Sequence, residues 1–327
     1  RWSVCRLAEQ EYELILVEHH FVHDGWSSVV LTRELGELYE ALRAGRSPQL
    51  PELDYQYPDF ARWQRSAATG SELAGQRAYW LDRLAGAPQR IALPTDRPRP
   101  PHQSFRGGRL RFDLPPEIPA AIRELARRSA ATPYMVMLAA FTVLLHRRTG
   151  QRDLCVGSGF ANRRKETEHL IGMFVNSVVL RNEVPAGATF RELLARARQT
   201  VVDAAANQEY PFVELVRALR PRRELSANPL FQVMFNFHDT PTEEVILAGA
   251  PVAFFEHEND SAKTDLNIIV IPHGSRRVGS EGYRDDRMSM LWEYSADLFD
   301  RDTVQGMATE YVELLRAALA APDAPVT

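Results

Sequence analysis

Glu18-His19-His20-Phe21-Val22-His23-Asp24-Gly25-Trp26-Ser27 gathers three histidines, Asp24, a glycine and a tryptophan into ten residues. Upstream, Tyr12, Leu14 and Leu16 alternate with Glu13, Ile15 and Val17, a pattern that predicts a β-strand ending near His20. Side chains alternate faces along a strand, so His19 and His20 should point in opposite directions. One imidazole then faces a cavity and the other packs behind the strand. Downstream, Leu31, Leu35, Leu38 and Leu42 follow helical spacing, with Ser27 as the expected N-cap and Gly45 as the stop. The stretch therefore reads as strand, tight turn and helix start, with Gly25 free to take a φ that other residues resist.

Imidazole titrates near neutrality, so a histidine on such a turn suits a general base or a group that positions an amine. Asp24 would lock the loop through an ion pair or hydrogen bond. An isolated His-His pair at a strand end would be ordinary satisfied polarity. The whole HHxxxDG pattern at a strand-to-helix turn points to function instead.

Bulk properties narrow the class. With 327 residues, 45% of them hydrophobic, the chain can bury a large core. A net charge of −4 gives no reason to expect nucleic acid as a partner. Cys5 and Cys155 lie far apart in sequence and suggest neither a disulfide framework nor a zinc site, which fits a reducing cytoplasm. No apolar run approaches the roughly 18 residues that span a bilayer, so no membrane partner is expected, and no signal peptide is visible.

Along the chain, residues 1–26 predict a hairpin that delivers the motif, followed by a helix to about Ala44. Pro48 and Pro51 mark a loop. Tyr57-Pro58-Asp59-Phe60-Ala61-Arg62-Trp63-Gln64 opens a second helix, and a third carries Tyr79-Trp80-Leu81; their aromatics read as core. Leu93-Pro94-Thr95-Asp96-Arg97-Pro98-Arg99-Pro100-Pro101 lies in a stretch with five prolines between positions 88 and 101. Such density excludes helix and central strand, so the segment reads as a crossover between subdomains. Residues 107–114 alternate like a strand. Thr132-Pro133 starts a helix with proline in its first turn, and residues 135–145 are apolar all round, hence buried. Residues 155–159 predict a strand, followed by Phe160-Ala161-Asn162-Arg163-Arg164. Ile171-Gly172-Met173-Phe174-Val175-Asn176-Ser177-Val178-Val179-Leu180-Arg181 reads as another. Thr189 caps a helix to about Asn207. Leu266, Ile268 and Val270 alternate opposite a partner strand over 288–294, and Asp297-Leu298-Phe299 leads into a final amphipathic helix. The turn from His273 to Arg287 is polar and reads as mobile.

The HHxxxDG stretch resembles the core motif of condensation domains of nonribosomal peptide synthetases, within the wider chloramphenicol-acetyltransferase-like acyltransferases. Further blocks follow in the family's order and cover nearly all of the chain. They are the YxDxAxWQ-like stretch at Tyr57, the Tyr79-Trp80 pair, the LPTDRPRP segment at Leu93, and the GxFVN-like Gly172-Met173-Phe174-Val175-Asn176. Gln208-Glu209-Tyr210-Pro211-Phe212 and Asn228-Pro229-Leu230-Phe231-Gln232-Val233-Met234-Phe235 complete the series. The resemblance implies an α/β (α+β sandwich) fold with two pseudo-symmetric subdomains. Residues 1–95 would be the remainder of an N-terminal subdomain lacking much of its first half, and residues 96–327 the C-terminal subdomain.

The same resemblance implies amide formation between a donor acyl or peptidyl thioester and the amine of an acceptor aminoacyl thioester. Both would ride on the 4'-phosphopantetheine arms of donor and acceptor peptidyl carrier protein domains, with an adenylation domain nearby. No cofactor would be bound directly, and no metal. Alignment of amine and carbonyl is then the main task, worth about 7–11 kcal/mol of barrier at best. By motif position His20 matches the catalytic second histidine, acting as base or amine-orienting group, and His19 the structural first. Asp24 is assigned to an arginine, with Arg163 of the family-like AN-R segment as its partner. Gly25 would let backbone approach the reacting carbonyl and offer its N–H to oxyanion charge. Asn176 and Ser177 either line the tunnel or satisfy backbone, and His23 and Trp26 would shape a substrate pocket.

Two other readings stay open: a free-standing coenzyme A-dependent acyltransferase, and a catalytically silent recruitment module of the same fold. An epimerisation domain carries Ser-Trp after the Asp, whereas Trp26-Ser27 follows Gly25 here. A heterocyclisation domain replaces the histidine pair with aspartates. The surroundings of His23 and residues 263–266 point to a starter type with a fatty acyl donor.

Overall fold

The computed structural model describes residues 1–327 except 223, 241, 244–245, 248, 253–258, 274–276, 279–285 and 327. Strand β1 (Trp2–Ala8) and β2 (Glu11–Leu16) form an antiparallel hairpin with Trp2 opposite Leu16. Its ladder closes with the Val17 N–H on the Arg1 carbonyl at 2.8 Å. The strand stops at Leu16 rather than near His20, and a turn with the Val22 N–H on the His19 carbonyl takes over.

Three helices follow: α1 (Gly25–Arg43), α2 (Tyr57–Thr69) and α3 (Ala74–Arg83). Helix α1 ends two residues before Gly45, as its sequence predicts. Then come β3 (Gly107–Asp113), α4 (Glu117–Arg128), α5 (Pro133–Thr149), β4 (Asp153–Phe160), β5 (Asn176–Glu183), α6 (Phe190–Ala206) and α7 (Phe212–Leu219). The chain closes with β6 (Val233–Phe237), β7 (Leu266–Pro272), β8 (Met288–Ser295) and α8 (Arg301–Ala320).

Six of the strands form one mixed sheet in the order β3-β8-β7-β6-β4-β5. The β7–β6 and β6–β4 neighbours are parallel and the others antiparallel. Helix α5 packs against this sheet: residues 135–145 are all buried, so the helix is enclosed rather than on a surface. Phe141 stacks on Phe235 of β6 with ring centres 5.1 Å apart and meets Trp292 of β8 edge-on. The architecture agrees with the α/β condensation-type fold expected above.

The proline-rich crossover is pinned along its length. The Asp96 N–H donates to the Leu298 carbonyl at 2.9 Å, and Arg99 forms a two-pronged ion pair with the buried carboxylate of Asp265. Residue 95 is not a packing boundary, however. Ala67, Leu73, Trp80, Leu84 and Ile91 belong to the same buried core as the large sheet, and the Trp80 indole donates to the Asn207 carbonyl at 2.8 Å. Much of the expected turn between His273 and Arg287 lies outside the described residues.

Among the described residues no single helix is long and apolar enough to cross a membrane. The two cysteines sit in contrasting places. Burial and the neighbouring Asp153 push the Cys155 thiol up to about 12, while Cys5 lies on the partly exposed hairpin. Thiolate is the reactive species, so a maleimide at neutral pH should label Cys5 alone. Labelling of Cys155 should begin only when denaturant opens the core, as read by mass spectrometry.

Candidate functional site

The site is built around the Asp24 carboxylate, 1% exposed. Asp24 has extended backbone and accepts the Ser27 N–H at 2.8 Å, so Asp24 caps α1 and not Ser27 as the sequence predicts. Ser27 is buried one turn further in. Its Oγ lies 2.8 Å from Asp24 Oδ1 and 2.9 Å from the Gly172 carbonyl, and accepts from the Gly172 N–H at 3.0 Å. A hydroxyl has one proton, so Asp24 and the Gly172 carbonyl share it.

Arg163 completes the network. One of its terminal nitrogens donates to Asp24 Oδ1 at 2.7 Å and Ser27 Oγ at 2.9 Å. The other donates to the Thr167 and Leu170 carbonyls at 2.6 and 2.8 Å. The guanidinium lies 4.2 Å from the centre of the Phe174 ring, a cation–π contact. Burial alone would raise the Asp24 pKa. The Arg163 hydrogen bond, the Ser27 N–H and O–H and the Arg163 charge outweigh it and hold the carboxyl below its ordinary value.

This network also reshapes the downstream segment. Residues 171–175 read as strand but are irregular, and β5 begins only at Asn176. The reason is capture of their backbone: Gly172 is bonded to Ser27, and the Phe174 N–H donates to Asp24 Oδ2 at 3.1 Å. Groups held by side chains cannot join a ladder. Gly172 is required by close approach, since a Cβ there would stand 2.2 Å from the Tyr57 ring. Tyr57 in turn donates to the Met173 carbonyl at 3.0 Å.

Above this floor stand His19 and His20, both exposed. The Phe21 N–H donates to His19 Nδ1 at 3.2 Å, so that nitrogen is the acceptor and the ring proton sits on Nε2. His20 is the reverse. Its Nδ1 lies 3.0 Å from the His23 carbonyl, which can only accept, so Nδ1 carries a proton and, in the neutral ring, the lone pair is on Nε2. The expected opposition of the two side chains is therefore a difference of tautomer on a turn, not of two faces of a strand. The His23 ring stacks on His20 with centres 5.2 Å apart and planes within 5°.

The remaining expected residues fall differently. Gly25 is the first residue of α1, has no positive φ, and a Cβ there would meet Thr240 Oγ1 only at 3.9 Å. Unusual backbone is thus not why glycine stands there. The Trp26 indole donates to the Glu168 carbonyl at 2.8 Å and anchors the turn. Asn176 donates to the Gln208 and Tyr210 carbonyls and accepts the Phe212 N–H, so both amide hydrogens brace the 208–212 loop rather than face a substrate. Ser177 sits opposite Gly159 in the β4–β5 ladder. Sequence reading missed Ser27, Tyr57 and Phe174 as parts of the site. Each had a signal in its setting: Ser27 directly follows Trp26, and Tyr57 and Phe174 lie in the YxDxAxWQ-like and GxFVN-like blocks. Among the described residues no group of three His, Cys, Asp or Glu is placed to hold a metal ion.

A chain with this fold and an HHxxxDG turn locked by Asp24 and Arg163 can be compared with known proteins. The family model described as "Condensation domain" matches residues 1–327, and the chain belongs to that family. It is 42% identical to phosphinothricin tripeptide synthetase PhsB of Streptomyces viridochromogenes, over 100% of this chain and 27% of that protein. It is 37% identical to the dimodular nonribosomal peptide synthase of Bacillus subtilis, over 97% of this chain and 13% of that protein. The chain thus spans a small part of the curated relatives' length. Among solved structures, the X-domain from teicoplanin biosynthesis superposes with a TM-score of 0.86 at 26% identity, over 100% of this chain and 73% of that one. That X-domain is also solved in complex with OxyB.

Proposed function

We propose that this chain forms an amide bond between a donor acyl or peptidyl thioester and the amine of an acceptor aminoacyl thioester. Both substrates would be presented on 4'-phosphopantetheine arms by donor and acceptor carrier domains, with an adenylation domain in the same assembly. The observation that carries this reading is the His20 Nδ1 contact with the His23 carbonyl, which puts the basic nitrogen of a neutral ring at Nε2, on a turn anchored by the buried Asp24–Arg163 pair.

In the step itself the acceptor nitrogen attacks the thioester carbonyl carbon. His20 Nε2 takes the proton that the nitrogen sheds, the carbon–sulfur bond breaks, and the proton passes to the departing thiolate. His19, with its proton on Nε2, has no lone pair to offer there and supports the turn. Among the described residues no protein acceptor takes the Gly25 N–H, which leaves this helix-terminal donor for the developing oxyanion. Gly25→Ala should leave the thermal midpoint unchanged, since the Cβ has room. It should slow turnover by crowding the approaching carbonyl, as checked by melting and rate measured on the same sample.

The segment 263–266, read above as a starter-type sign, is spent on structure. Asp265 holds Arg99, and Leu266 lies fully buried in β7. The donor is therefore assigned only as a carrier-bound acyl or peptidyl thioester. Trp2, Val4, Leu7, Val17 and Phe21 are exposed large apolar residues on and beside the hairpin. A second reading, a recruitment module, draws on the likeness to the X-domain from teicoplanin biosynthesis, which is solved in complex with OxyB.

The test is single-turnover condensation between two loaded carrier domains, with this chain alone and with upstream sequence added. Amide formed by the extended protein and lost in His20→Ala supports the proposal. Folded protein that makes no amide but binds a partner protein supports recruitment, and acyl transfer from free coenzyme A thioesters supports the alternative acyltransferase.

A further inference from the structure

Two residues beside the base have no place in the mechanism so far. His23 is the residue immediately before Asp24, and its ring lies parallel to that of His20 with centres 5.2 Å apart. Its Nδ1 is buried without a hydrogen-bond partner and sits 3.5 Å from Glu18 Oε2, a close polar contact without hydrogen-bond alignment. Both side chains are about three-quarters covered, at 25% and 26% exposure. His20 by contrast is exposed, and its ring is tethered through Nδ1 to the carbonyl of the same residue, His23.

An exposed imidazole held by one hydrogen bond rotates readily about its side-chain torsions, because that bond is worth only about 0.5–1.5 kcal/mol net. A ring stacked on its face removes one direction of escape. Such stacking helps only if the second ring is itself fixed, and Glu18 is the group placed to fix it.

We propose that Glu18 and His23 are a positioning pair for His20. Glu18 holds the His23 ring, the ring holds the plane of His20, and the His23 carbonyl keeps the His20 proton on Nδ1. His23 is then a positioning residue rather than part of a substrate pocket. The inference rests on the assignment of His20 as the reacting base, but its structural half can be read without any turnover.

The test uses the full chain with 15N-labelled histidine, and long-range nitrogen–proton spectra assigned by His20→Ala. In the native protein His20 should show a single tautomer protonated on Nδ1. Glu18→Ala, which touches no residue of the hydrophobic core, should release His20 toward the tautomer mixture of free imidazole. His23→Ala should do the same, and His23→Phe, which restores a stacked ring, should recover most of the native pattern. In the carrier-to-carrier assay His23→Ala should lower kcat on the order of tenfold with KM little changed, as expected for lost alignment. A single Nδ1-protonated His20 persisting in both Glu18→Ala and His23→Ala overturns the positioning pair. Tautomer release without any native turnover would uphold the pair while sinking the condensation reading.

Discussion

Asp24→Ala is expected to destabilise the protein by about 3–5 kcal/mol, the range for breaking a buried ion pair from one side. The substitution strands Arg163, whose side chain is 7% exposed and already has one buried nitrogen, Nε, without an acceptor. It also removes the cap of α1 and the acceptor of the Phe174 N–H. Three elements then lose their common anchor: the motif turn, the Arg163 loop and the segment leading into β5. Denaturant melts should show a lower midpoint, and a midpoint equal to that of the native chain would contradict the structural role. Pairing Asp24→Leu with Arg163→Met should recover only the part due to the stranded charge, because the Ser27 and Phe174 N–H groups and the Thr167 and Leu170 carbonyls still lose their partners.

The pH dependence follows from the same carboxyl. Its folded pKa lies below the ordinary 3.8, so its contribution to stability is fully present above that value. The contribution fades as the pH falls through the folded pKa. The stability gap between the native chain and Asp24→Asn should therefore be constant through neutrality and close only in strong acid.

His20→Ala is expected to behave in the opposite way. His20 is exposed and its ring bonds to the neighbouring turn, so the melting midpoint should hardly move. Condensation should fall by about 10²–10⁴-fold, the usual worth of a positioned general base. His19→Ala should cost much less, because His19 Nδ1 is committed to the Phe21 N–H and offers no free lone pair. Equal losses from the two substitutions would show that the tautomer difference does not decide which ring reacts. Measuring midpoint and rate together separates the anchor from the base: Asp24 should move the first, His20 the second.

Much of the architecture was legible from local pattern. Thr132 and Thr189 cap their helices as their positions suggest, and the apolar run over 135–145 is buried on every side. These features depend on residues within a few positions of one another, and periodicity reports such neighbours directly. The Asp24–Arg163 pairing, 139 residues apart in sequence, was reachable only because a family pattern marks both ends.

What local pattern could not supply were outcomes set by competition for backbone groups. Residues 171–175 have the composition of a strand, yet Ser27 and Asp24 take their N–H and C=O groups first. The same rule moved Asn176 from a candidate substrate contact to a brace, since the 208–212 loop presents two carbonyls and an N–H that must be satisfied. The composition of residues 18–27 was enough to announce chemistry at that turn, because few other arrangements need two histidines, an aspartate and a glycine together. Which imidazole keeps a free lone pair was decided in three dimensions. That choice depends on whether the nearest backbone group donates or accepts, and only the folded turn brings the Phe21 N–H to one ring and the His23 carbonyl to the other.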